Sequence, residues 1–252
     1  MIPALPLETR QERTPALEMA KLSELIPALS RLFDKRDFPE KTVAVFARHL
    51  RLARLLSTGG RGLGGADMMP ADCTNMILAM TSGLPAKDAA EAIQIYRAVR
   101  PSYVEWQRDE DAPRVAWLDE LNGAPLANVL ERLIAAAMAD EFAELGRMAM
   151  DATTARNWYV LVKINSPMPG GEVLIGGGVP QFGGPLRQYN KIIAAMPYCE
   201  PPKEGGPSID GTEAFEKWRA EQRGRNSERV RTETIGRGTI QTLGALLAGK
   251  SK

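Results

Sequence analysis

The residues best suited to chemistry lie between Lys41 and Ala66, in the run KTVAVFARHLRLARLLSTGGRGLGGA. Lys41, Arg48, Arg51, Arg54 and Arg61 fall within it, and no carboxylate does. The whole chain of 252 residues carries 32 Lys and Arg against 31 Asp and Glu, a net charge of +1. A local cationic excess on a nearly neutral molecule attracts polyanions at one place only. Arginine and lysine donate to phosphate oxygens. Gly59, Gly60, Gly62, Gly64 and Gly65 let backbone approach a phosphate with no Cβ in the way, and Arg61 adds charge to that loop. Thr42, near the start of the segment, puts a hydroxyl and helix-terminal N–H groups within reach of a phosphate.

Other reactive residue types are sparse. His49 is the single histidine, and it sits between Arg48 and Leu50 as a partly exposed helix residue would. No nucleophile-elbow glycine pattern accompanies it. Cys73 stands beside a helix start, where a thiol can be acidified, but a buried or N-terminal structural cysteine is the expectation. Cys73 and Cys199 are far apart, which fits a reducing cytoplasm and no disulfide framework. One histidine and two cysteines make no tetrahedral zinc site without carboxylates, and Asp109, Glu110 and Asp111 read as a solvated acidic turn. No phosphate-binding P-loop or dinucleotide fingerprint is present. The sequence therefore predicts no enzyme, no cofactor and no metal.

The elements that must position the basic cluster follow from apolar periodicity. Residues 1–16 hold three prolines and read as a flexible arm without a signal peptide's apolar run. Leu22, Leu25, Ile26, Leu29, Leu32 and Phe33 form a helical stripe that Pro27 kinks or splits. A second helix is expected over Glu40–Leu56. Val43, Phe46, Ala47, Leu50, Ala53 and Leu56 line one side of it, and Arg48, Arg51 and Arg54 the other. A third helix starts at Asp72 or Thr74, and a fourth runs from Ala86 to Arg100. Residues 17–100 thus read as one helical domain.

Residues 101–155 hold eleven carboxylates against four arginines, so one part of the molecule should repel the phosphate another attracts, which would orient a bound duplex. Residues 101–125 read as an acidic connector and 126–150 as one long helix. WYVLVKI (158–164) and EVLIG (172–176) predict a β-hairpin around a turn at 165–171, with Trp158 and Tyr159 in a small core. Further expectations are a short helix at 186–196, a loop at 197–212, a polar helix at 212–224, a strand at 229–235 and a closing helix at 238–248. Arg219–Arg231 is a second basic cluster with acids interspersed. No run approaches a membrane span of about 20 apolar residues.

RHLRLARLLSTGGRGLGGADMMPAD resembles the end of a winged helix-turn-helix recognition helix and its wing, with Arg48, Arg51, Leu52, Leu55 and Leu56 matching the helix and Arg61 the wing. The chain as a whole resembles uncharacterised phage or prophage proteins of alphaproteobacteria. No clear strand flanks the loop, which departs from the winged pattern. The resemblance implies double-stranded DNA as partner, a homodimer that doubles the contacts of one short helix, and a role as transcriptional regulator or phage-type DNA-handling protein. The alternative is a phage structural or interaction protein. The expected fold is α+β and mainly helical: a helix-turn-helix-like N-terminal domain, then at 126–252 a long central helix followed by a small C-terminal region containing the hairpin.

Overall fold

The computed structural model describes residues 19–33, 36–59, 65–101, 105–106, 116–153, 157–166, 169–177, 191–200 and 231–250. Helix α1 covers Leu22–Leu32, opening where the Glu24 carboxylate reaches back to the Lys21 N–H at 2.7 Å. Pro27 lies inside α1 without ending it. The carbonyl it leaves unbonded belongs to Ser23, which is exposed and open to hydration. Helix α2 covers Glu40–Leu52 and buries Val43, Phe46, Ala47 and Leu50 against α1. It stops short of the expected Leu56. Arg54 takes φ 59, its N–H bonds Arg51 O at 3.1 Å, and the Leu55 N–H bonds Leu50 O at 2.9 Å. That pair of bonds is a Schellman ending, which turns the chain off the helix axis.

Helix α3, Pro70–Thr81, is buried from Asp72 to Thr81. It packs on α2, on α4 (Ala89–Ala98), on α6 (Leu126–Met138) and on strand β3 (Trp158–Ser166). A helix surrounded on all sides needs no polar face. Between α4 and α6 lie two short strands, β1 (Arg100–Pro101) and β2 (Glu105–Trp106), and a single turn of helix, α5 (Ala116–Asp119).

The long helix expected over 126–150 is two helices. Helix α6 ends at Met138, and α7 covers Phe142–Thr153. Asp140 between them has φ 63, a left-handed conformation that aspartate tolerates better than most residues, and its carboxylate pairs with Lys250. The alanine-rich centre of α6 does admit a close neighbour, which is the last helix, α8, Arg237–Leu247. A Cβ on Gly244 of α8 would lie 2.6 Å from Ala137.

Hairpin β3–β4 forms as expected but with a tighter tip. Strand β4 is Gly170–Gly177, and Asn165 pairs with Gly170 where a longer turn was expected. Strand β5, Lys191–Glu200, replaces the helix expected over 186–196 and the start of the loop at 197. Its Ile192, Ile193 and Tyr198 suit a strand, and the open edge of β4 supplies its hydrogen-bonding partner. Strand β6, Arg231–Gly236, pairs antiparallel with the other edge of β3. The strand order is β1-β5-β4-β3-β6, with β2 also on β5. The polar helix expected at 212–224 lies outside the described residues.

The fold is thus mainly helical α+β, with eight helices and one antiparallel sheet among the described residues. One apolar core runs continuously from Ala20 through α3, α6 and the inner face of the sheet to Leu247. Tyr159, Leu161 and Leu174 form a second cluster on the other face. Among the described residues no helix is long and apolar enough to cross a membrane.

Candidate nucleic-acid interface

Helical geometry divides the basic residues of α2. With 3.6 residues per turn, Lys41, Val45, Arg48 and Leu52 fall in one row, and Arg51 lies about 60° around the helix from Arg48. Lys41, Arg48 and Arg51 are exposed. Thr42 lies about 120° from Arg48. It is half-buried, and its N–H is already bonded to Pro39 O at 2.8 Å. Its backbone donor is therefore not free for a phosphate, and it does not share the face of the arginines. Arg54 does not lie on α2 as expected; it is exposed in the left-handed turn beyond it. Arg61 lies outside the described residues.

The cations of this face have no carboxylate partner among the described residues, whereas several elsewhere are paired. Lys21 pairs with Asp67, Arg97 with Glu131, Arg132 with Glu141, Lys163 with Glu172, and Arg231 with both Asp37 and Glu233. Among the described residues, Lys41, Arg48, Arg51 and Arg54 pair with no carboxylate. Arg231, the described end of the second basic cluster, is neutralised by its two partners and also lies over the Phe38 ring.

The glycine-rich loop has a tied stem. On the outgoing side, the Asp72 carboxylate accepts the Ser57 N–H at 2.7 Å, and the Asn75 amide donates to Leu55 O at 2.6 Å. On the returning side, Met68 N–H bonds Ala20 O at 2.9 Å, and Asp67 bridges Lys21. The two sides meet at Gly59, where a Cβ would lie 2.6 Å from the Ala66 nitrogen. A glycine is required by that close approach, rather than for looseness. Among the described residues that bridge is the only strand-like pairing beside the loop, so the loop's described ends are not the hairpin arms of a wing.

An open cleft of about 670 Å³ adjoins the end of α2. Arg51, Arg54, Ser57, Thr58, Asp72, Asn75 and Arg97 are among the residues that line it. Asn75 accepts from Arg97 Nε at 2.8 Å, and Arg97 Nη2 donates to Glu131 at 2.5 Å. Sequence reasoning missed Arg97, Asn75, Ser57 and Thr58. The available signal was the polar run Asp72–Thr74–Asn75 on an otherwise apolar helix, because buried polar groups demand partners.

The remaining reactive residues behave as structural ones. Cys73 is fully buried, and burial first, then the Asp72 charge, pushes its thiol pKa well up, so it stays protonated. His49 is half-buried on α2, and Trp158 and Tyr159 are buried, which removes them as base-stacking platforms. The acidic run Asp109–Asp111 lies outside the described residues. Among the described residues no cluster of His, Cys, Asp or Glu could hold a metal. Comparison with protein-family models, with curated proteins and with solved structures gave no match.

Proposed function

We propose that this chain binds double-stranded DNA through the exposed side of α2, holding the phosphate backbone rather than reading bases. The observation that carries the proposal is the set of four exposed basic side chains, Lys41, Arg48, Arg51 and Arg54, along and just beyond α2, which pair with no carboxylate among the described residues. Lys41 and Arg51 are ten residues apart, about 15 Å along a helix axis. DNA's major groove is about 12 Å wide. A helix laid across it can touch phosphates on both walls. Regulators and phage-type DNA-handling proteins both use such a surface, and a symmetric dimer would double the contacts.

The test is fluorescence anisotropy with a labelled random-sequence duplex. Arg48→Ala with Arg51→Ala should weaken binding by roughly tenfold, on the order of 0.7 kcal/mol per exposed contact. Unaltered affinity in that variant would contradict the proposal.

A second reading has its own observation. Val45 is 47% exposed and Leu52 73%, and both sit in the row of Lys41 and Arg48. A surface that alternates cations with bare aliphatic groups also suits a protein partner with acidic and apolar groups, as an interaction component would. Leu52→Gln should then abolish partner binding, whereas backbone-held DNA would tolerate it.

A further inference from the structure

We infer that the cleft beside the end of α2 is a binding site for a compact phosphate monoester, separate in its chemistry from the duplex-holding face. The inference stands on the cleft itself and does not require the duplex reading, although Arg51 and Arg54 serve both.

The first observation is the composition of the walls. Three arginines, Arg51, Arg54 and Arg97, and one carboxylate, Asp72, line a space of about 670 Å³; Arg97 is paired with Glu131, so Arg51 and Arg54 are the lining cations without a carboxylate partner among the described residues. That volume suits a small ligand, since such sites run from about 300 to 1,000 Å³. Asp72 keeps its charge but turns both oxygens to the backbone, accepting the N–H groups of Ser57 and Met69, each at 2.7 Å, and among the described residues it forms no ion pair with the arginines. Ser57 and Thr58 also line the cleft, and their hydroxyls are of a type that can donate to phosphate oxygens.

The second observation is rigidity. Arg97 is held through Nε by Asn75 and through Nη2 by Glu131, which leaves Nη1 without a partner among the described residues. Asn75 is 5% exposed and also fixes Leu55, so the cleft wall and the arginine are braced by one buried amide. A guanidinium already fixed in place loses little freedom when it takes an anion.

The third is Arg54. It occupies the left-handed position of a Schellman ending. The matching bonds at the end of α8 run from Gly249 to Leu246 and from Lys250 to Ala245, with glycine at φ 67. An arginine where glycine is the conformational choice puts a cation among the residues lining the cleft at a cost in backbone strain.

The experiment titrates the full chain with inorganic phosphate against chloride at matched ionic strength, by calorimetry and by amide chemical shifts. Phosphate should bind the wild type, and Arg54→Gly, which keeps the turn, should weaken it by about tenfold, the loss of one charge-assisted contact. Thr58→Val should weaken phosphate and leave duplex affinity unchanged. Arg48→Ala, off the cleft, should do the reverse. A nucleoside monophosphate and a 5′-phosphorylated duplex end are the two further probes; tighter binding than inorganic phosphate by either identifies the source of the monoester. No phosphate binding beyond the chloride control would overturn the inference, as would affinity equal in wild type and Arg54→Gly, or loss in Arg48→Ala alone. Duplex binding surviving any of those results leaves the proposed function standing.

Discussion

Arg54 and Gly249 end two helices by the same pair of backbone bonds, one with the residue that geometry favours and one without. A left-handed conformation costs an ordinary residue about 1–2 kcal/mol, and glycine's greater unfolded-state freedom returns part of that. Arg54→Gly should therefore leave the protein equally stable or about 0.5–1 kcal/mol more stable in urea denaturation, while duplex affinity falls. Loss of stability would mean that the guanidinium itself holds the turn. At Cys73 and Tyr96, burial raises both pKa values above their ordinary values of about 8.5 and 10. The folded state therefore keeps protons that the unfolded state releases, so stability is complete below about pH 8 and is lost as pH rises through the alkaline range. The urea midpoint should fall between pH 8 and 10.5, and Cys73→Ala should flatten the first part of that fall. A thiol-alkylating reagent should modify Cys73 only at the rate of unfolding.

Element boundaries show where the sequence spoke and where it did not. The start of α2 was legible because Pro39 and an apolar stripe mark it. Its end was not, because the apolar spacing continues through Ala53 and Leu56 while a Schellman ending at Arg54 turns the chain away. Leu56 is buried as expected, but from the loop and not from the helix. The break between α6 and α7 was illegible for a related reason: AAAMADEFAEL contains no residue that forbids a helix, and the Asp140 turn is secured by Lys250, 110 positions away. Strand β5 depended on an edge of β4 that no local pattern reveals. The hairpin was readable from its aromatic and β-branched residues, which suit strands buried on both faces, and α8 from its apolar periodicity. Close packing at the α6–α8 crossing gives a direct check. Gly244→Ala would press a methyl into Ala137, and overpacking of this kind costs about 1–3 kcal/mol. A thermal midpoint equal to wild type would show that the two helices can separate without penalty.

At the scale of the whole molecule, neutrality hides an uneven distribution of free charge. Among the described residues Lys21, Arg97, Arg132, Lys163, Arg231 and Lys250, all away from α2, are paired with carboxylates, and the cations of α2 are not. The basic run was plain in the sequence, but its freedom from pairing was not, since Arg97 and Glu131 or Arg231 and Asp37 meet only through the fold. The polar bracing by Asp72 and Asn75 likewise joins residues 15 to 22 positions apart. The central claim is that these free cations hold phosphates, and its most direct test is the salt dependence of duplex binding. Each phosphate neutralised contributes about −0.9 to the slope of log affinity against log salt, so four contacts give a slope of about −3.5. Arg48→Ala with Arg51→Ala should bring that slope to about half its wild-type magnitude. A wild-type slope near zero, or one that the double substitution leaves unchanged, would contradict the account.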